Sequence, residues 1–146
     1  MADESHTYTT SLRWTAERRG TLSAEGLPQL EVATPPEFPG GHPGIWSPEH
    51  LFVAAAEACL MTTFLAIAGN SKLAFREYSS RAEGLLEKTP EGFRITKIVL
   101  HPRLVIADPA AADRARRILE RAEQICLITA SMKTETTLEA EVVVAP

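Results

Sequence analysis

From Leu51 to Ala68 only Glu57, Thr62 and Thr63 interrupt a continuous apolar run. No other stretch limits the fold of this chain so strongly. Ser47-Pro48-Glu49 stands before it: a capping hydroxyl, a proline suited to the first helical position and a carboxylate for the positive end of the helix dipole. Gly69-Asn70 stands after it as a stop. A helix from Pro48 to about Ala68 is predicted, apolar around nearly its whole circumference and therefore buried on most sides. Its length would also suit a bilayer. The three interruptions and the lack of flanking basic anchors favour a buried central helix over a membrane span.

The remaining patterns supply sheets to surround such a helix. Residues 8–14 alternate as a half-buried strand through Tyr8, Thr10, Leu12 and Trp14. Arg18-Arg19-Gly20 reads as a turn, followed by short strands over residues 21–24 and 29–33. Residues 34–44 hold four prolines and three glycines and form a loop long enough to shape a site. Residues 74–87 and 93–105 pair as a long antiparallel hairpin around Lys88-Thr89-Pro90-Glu91-Gly92. Pro109 opens a helix of about fifteen residues whose apolar positions (Ala112, Ala115, Ile118, Leu119 and Ala122) recur at helical spacing. Cys126 follows in a short turn or helix, and residues 136–144 make the final strand. The class is α+β, with antiparallel sheets wrapped around a buried central helix, in one domain spanning residues 1–146.

Charge narrows the function classes. Fifteen basic and 19 acidic side chains leave a net charge of −4, and no basic stripe is present to track phosphates, so nucleic acid is not an expected partner. Arg114, Arg116, Arg117 and Arg121 alternate with Asp113, Glu120 and Glu123 as a solvated helix face. The acidic start, Met1-Ala2-Asp3-Glu4, lacks the order of a signal peptide, and a cytoplasmic location is expected. His6, His42, His50 and His101 show no metal-ligand spacing, so a metal site is not expected.

Two cysteines remain, Cys59 within the apolar helix and Cys126 a further 67 residues along. In a reducing compartment a structural disulfide is disfavoured, while a transient catalytic one stays open. A thiol buried in apolar surroundings is inert unless a cation or hydrogen-bond donors favour its thiolate. Arg18-Arg19 is the basic pair without acidic neighbours on both sides, and Glu49 is placed to orient a guanidinium by a bidentate pair. Glu49 and Cys59 lie about 15 Å apart along an ideal helix and about 80° apart around it, so they cannot touch on one straight helix. Either an arginine bridges that gap, or Glu49 comes from a second copy of the helix packed across a dimer. Taken singly, each of these residues also has an ordinary role: core cysteines, a first-turn glutamate and a solvated basic turn.

The run from Trp46 to Leu60 carries Pro48-Glu49-His50-Leu51, a series of small apolar residues and then Ala58-Cys59. It resembles the central-helix motif of the OsmC/Ohr family, the osmotically inducible protein C and organic hydroperoxide resistance proteins. Cys126 in Glu123-Gln124-Ile125-Cys126-Leu127 matches the family's second cysteine, after an amphipathic helix and before the last strand. Arg18-Arg19-Gly20-Thr21 resembles the early hairpin that carries its active-site arginine. Trp46, where a small residue often precedes the Pro-Glu pair, marks an OsmC-like branch.

The resemblance implies an intertwined homodimer and a thiol-dependent peroxidase acting on organic hydroperoxides and hydrogen peroxide. Cys59 would form a sulfenic acid and Cys126 would resolve it to a disulfide. Arg18 or Arg19 would stabilise the thiolate, and Glu49 would position that arginine. No metal or organic cofactor would be involved, and a dithiol, a lipoylated protein or a small thiol would return the electrons. The alternative from another class is a non-catalytic dimer of the same fold that binds a small apolar ligand.

Overall fold

The computed structural model describes residues 4–146. Two units are delimited, one ending at Leu51 and the other running from Phe52 to Pro146.

The first unit holds a three-stranded antiparallel sheet, β1 (Ser11–Ala16), β2 (Arg19–Ser23) and β3 (Leu30–Ala33), in that order. The first strand starts three residues later than the alternation of residues 8–14 predicts. Pairing with β2 begins at Ser11↔Ser23, where β2 ends, so Tyr8 to Thr10 have no strand opposite them. The turn is also displaced. Glu17 and Arg18 form it, and Arg19 is the first residue of β2. Glu17 adopts a left-handed conformation (φ 51), and its carbonyl accepts the Trp14 indole N–H at 2.9 Å.

Helix α1 (Pro48–Asn70) has the predicted bounds to within the usual fraying of helix ends. Ser47 is fully buried and caps it, its hydroxyl accepting the His50 N–H at 3.1 Å. The residues of α1 that become fully buried are Ala56, Leu60, Phe64 and Ala68, one stripe at four-residue spacing. Phe52, Met61 and Leu65 stay exposed. The helix is therefore covered along one side of this chain rather than on most sides. An all-round apolar sequence shows that a helix can be enclosed, and this chain itself covers one face of it.

In the second unit, β4 (Glu77–Thr89) and β5 (Gly92–Ile106) form the long antiparallel hairpin. The turn is tighter than predicted, with Thr89 already paired to Gly92. The Thr89 hydroxyl donates to the Gly92 carbonyl at 2.7 Å and receives the Glu91 N–H at 3.2 Å. Opposite α1, Gly84 is required by contact, because a Cβ there would sit 2.4 Å from a Val53 methyl.

The C-terminal part of the sheet corrects two expectations. The single final strand is two, β6 (Glu135–Leu138) and β7 (Glu141–Val144), and both pair parallel to β5. The parallel sense follows from the crossover, since a helical segment lies between β5 and β6 and returns the chain to the same end of the sheet. The division has a local cause. The Leu100 and Ile106 carbonyls face this side and accept the Glu139 and Ala145 N–H groups, each at 2.8 Å. Pro102 has the same parity and no N–H to give, so the ladder breaks there.

The crossover starts at Asp108, whose carboxylate accepts the Ala110 N–H at 3.0 Å over a single 3-10 turn, Pro109–Ala111. Helix α2 (Ala112–Ile125) then buries Ala115, Ile118, Leu119 and Ala122, largely the predicted stripe. These side chains join Leu60 and Phe64 of α1 and Ile98, Leu100, Leu104 and Ile106 of β5 in one core.

Candidate active site

The second unit brings together the two cysteines that sequence alone leaves unconnected. Cys59 lies on α1 one residue before the buried Leu60, at the edge of the buried stripe, and is half-buried. Cys126 is fully buried at the joint between α2 and α3 (Leu127–Ala130), where its ψ of 116° breaks the helical path. Its carbonyl accepts the Ala130 N–H at 3.0 Å and the Thr129 hydroxyl at 3.3 Å, which anchors the joint. Both thiols are free, and the Cys126 thiol is close enough to Cys59 to act on its ionisation.

The surroundings of the pair divide the labour between them. Burial pushes the Cys59 thiol up. Against it act the Cys126 thiol, the Ile128 backbone N–H, the Thr63 hydroxyl and the Leu127 backbone N–H, which together hold Cys59 below the ordinary thiol range. Cys126 moves the other way. Burial raises it, and donating to Cys59 raises it further, against smaller opposing contributions from Thr129 and Ile128. The first proton therefore leaves Cys59, stabilised by hydrogen-bond donors of its own unit. We expect peptide-resolved labelling with iodoacetamide to modify Cys59 before Cys126 as pH rises toward neutrality. Labelling of Cys126 first, or of neither until the protein unfolds, would contradict this division.

Three donors to Cys59 went unseen in the sequence. Thr63 carried a signal, because a residue four positions on shares a helix face with Cys59. The amides of Leu127 and Ile128 carried none, since any residue offers an N–H and only the break at Cys126 aims these two.

Arg18 and Glu49 belong to the first unit, where they line a cleft of about 450 Å³ together with Thr34, Pro35, Phe38 and Pro39. The loop over residues 34–44 thus shapes a cavity, as its length and composition predict. Its glycines make the shape. A Cβ on Gly41 would lie 2.0 Å from the Pro35 carbonyl oxygen, and one on Gly40 would lie 3.3 Å from the Arg18 side chain. The Glu49 Oε1 atom is buried without a hydrogen-bond partner. Arg19 points elsewhere, to Glu31 of β3 at 3.6 Å. Among the described residues no group of three or more His, Cys, Asp or Glu side chains is arranged to hold a metal ion.

Residues 41–141 match the family of OsmC-like proteins. The chain belongs to the OsmC-like family. Over 146 residues, 97% of this chain and 95% of the relative, it is 26% identical to the uncharacterised protein YmaD of Bacillus subtilis. An OsmC-like protein of unknown function from Vibrio cholerae has the same fold, with a TM-score of 0.84 at 25% identity over 93% of this chain and 99% of that one. The organic hydroperoxide resistance protein OsmC of Legionella pneumophila superposes with a TM-score of 0.76, also at 25% identity, over 97% of this chain and all of that one. The mixed α+β architecture with two sheets is thus that of the OsmC-like fold, as the central-helix motif predicts.

Proposed function

We propose that residues 1–146 act as one OsmC-like domain and that the protein is a thiol-dependent peroxidase for organic hydroperoxides. The observation that carries this is the meeting of two free thiols, the half-buried Cys59 held below the ordinary thiol range and the buried Cys126 pushed above it. A nucleophile and a protonated partner within reach of it are what a two-step thiol cycle requires. The Cys59 thiolate attacks the terminal oxygen of R–O–O–H, and the O–O bond breaks. The alkoxide takes a proton and leaves as the alcohol, while Cys59 becomes a sulfenic acid. Cys126 then gives up its proton and attacks that sulfur, water departs, and a Cys59–Cys126 disulfide forms. An external dithiol or lipoylated protein reduces it and closes the cycle. This assignment places the protein in the cytoplasm, where such reductants keep thiols free.

The resemblance gives Arg18 or Arg19 the stabilising guanidinium and Glu49 the task of orienting it. The cleft these two share supports Arg18 over Arg19, whose charge is directed to Glu31. We further propose a homodimer in which a second copy covers Phe52, Met61 and Leu65 on α1. Light scattering should then return about twice 15.9 kDa, and a monomer that persists at micromolar concentration would remove the dimer.

The test of the activity is a thiol count before and after one equivalent of an organic hydroperoxide, with mass mapping of the product. Loss of both thiols into one intrachain Cys59–Cys126 link is expected. Two unreacted thiols would overturn the peroxidase assignment and leave a non-catalytic binding domain.

A further inference from the structure

Two threonines follow Cys59 on α1 and serve different atoms of it. The Thr62 hydroxyl donates to the Cys59 carbonyl at 3.1 Å, a local contact three residues back. Thr63 is one turn on from Cys59, and its hydroxyl lies 3.7 Å from the sulfur, within the range of a hydrogen bond to a thiol. Helical threonines commonly return their hydroxyl to a carbonyl three or four residues back. For Thr63 the carbonyl four residues back is that of Cys59, which Thr62 already occupies.

The sulfur contact is not neutral toward the chemistry. While Cys59 is a thiol, either partner can donate. Once it is a thiolate it only accepts, so the hydroxyl must donate to it, and hydrogen bonds to charged acceptors are the stronger kind. Thr63 is also β-branched and set in a helix, which limits its χ1 to few rotamers. The other donors to Cys59 belong to the segment 126–128, which carries the second thiol and must respond when that thiol reacts. Thr63 shares a helix with Cys59 and keeps its place throughout.

We propose that Thr63 is a positioning residue for Cys59, its hydroxyl donating to the sulfur and fixing the direction of the lone pair left for attack on the peroxide oxygen. The proposal rests on the peroxidase assignment for the word attack, and on geometry alone for the contact.

The test is the pH profile of Cys59 alkylation by iodoacetamide, followed at the Cys59 peptide by mass spectrometry, in the full chain with Thr63 intact, Thr63→Val and Thr63→Ser. Valine keeps the shape and removes the hydroxyl. Its profile is expected to move to higher pH, with alkylation well below the inflection about three- to fivefold slower. The plateau should not fall, because a less stabilised thiolate is the better nucleophile. Serine restores the donor and should return the profile of the unaltered chain.

A valine profile that overlays the unaltered one would overturn the proposal. So would a serine variant displaced as far as valine, since packing of the methyl group would then be the cause. Should the valine variant fail to give a cooperative thermal melt, Thr63→Ala set against Thr63→Ser decides the same question. Hydroperoxide consumption by the unaltered chain is measured alongside. A shifted valine profile in a protein that consumes no hydroperoxide would sink the peroxidase assignment and leave the Thr63 contact standing.

Discussion

Replacing Cys126 by serine is expected to abolish turnover while sparing the first oxidation. Serine keeps a hydroxyl that can donate to Cys59, so the lowered thiol and its attack on the peroxide should change little. What serine lacks is the sulfur that displaces water from the sulfenic acid. The variant should end as a Cys59 sulfenic acid that a dimedone-type probe captures, whereas the unaltered chain should end as a Cys59–Cys126 disulfide. Mass mapping after one equivalent of organic hydroperoxide separates the two products. Multiple turnovers by the serine variant with a dithiol as the only reductant, at the rate of the unaltered chain, would deny Cys126 any resolving role.

Replacing Phe64 by alanine is expected to cost about 3–5 kcal/mol of stability. The ring is fully buried on the inner stripe of α1. Its centroid lies 5.5 Å from that of Phe75 and 5.3 Å from that of Tyr78, so its removal opens a cavity bounded by two further aromatic rings. Tyr78 can fill that space poorly. Its phenol is already pushed up to about 12, by burial first and then by the nearby Glu57 charge, and a shift inward would bury it further. Against a total stability of about 5–15 kcal/mol the loss is large, and the thermal midpoint should fall by at least about 8 °C. A urea titration of both proteins measures it. A loss below about 1 kcal/mol would mean that the ring contributes little to the core.

The two predictions test different levels of the molecule, and sequence reveals those levels unequally. Helix α1 was legible because its signals are local: Ser47, Pro48 and Glu49 at one end, Gly69 and Asn70 at the other, and apolar side chains between. Helix α2 was legible for the same reason, through the spacing of Ala115, Ile118, Leu119 and Ala122. The β4–β5 hairpin followed from its turn. The two ends of the chain fared worse. Tyr8 alternates with its neighbours as a strand would, yet a strand needs a partner, and β2 is too short to reach it. At the other end, the helical crossover between β5 and β6 already implied parallel pairing, a signal present in the sequence and not used.

The site shows the same contrast. Arg18, Arg19, Glu49, Cys59 and Cys126 stand out as candidates by residue type and order, and the order matched a family. The proposal of Arg18 over Arg19 rests on pairing, since Arg19 begins a strand and reaches Glu31.

The sequence by itself determined the main helices, the long hairpin, the α+β class and the family, because caps, periodicities and motifs act over a few residues and can be read in a line. Tertiary structure alone decided that two thiols 67 residues apart come together and that Cys59 is the one held below the ordinary thiol range. It also decided that the last strand splits around Pro102. Each of these depends on which donors face a given sulfur or strand once distant segments meet, and no local pattern in the chain encodes that.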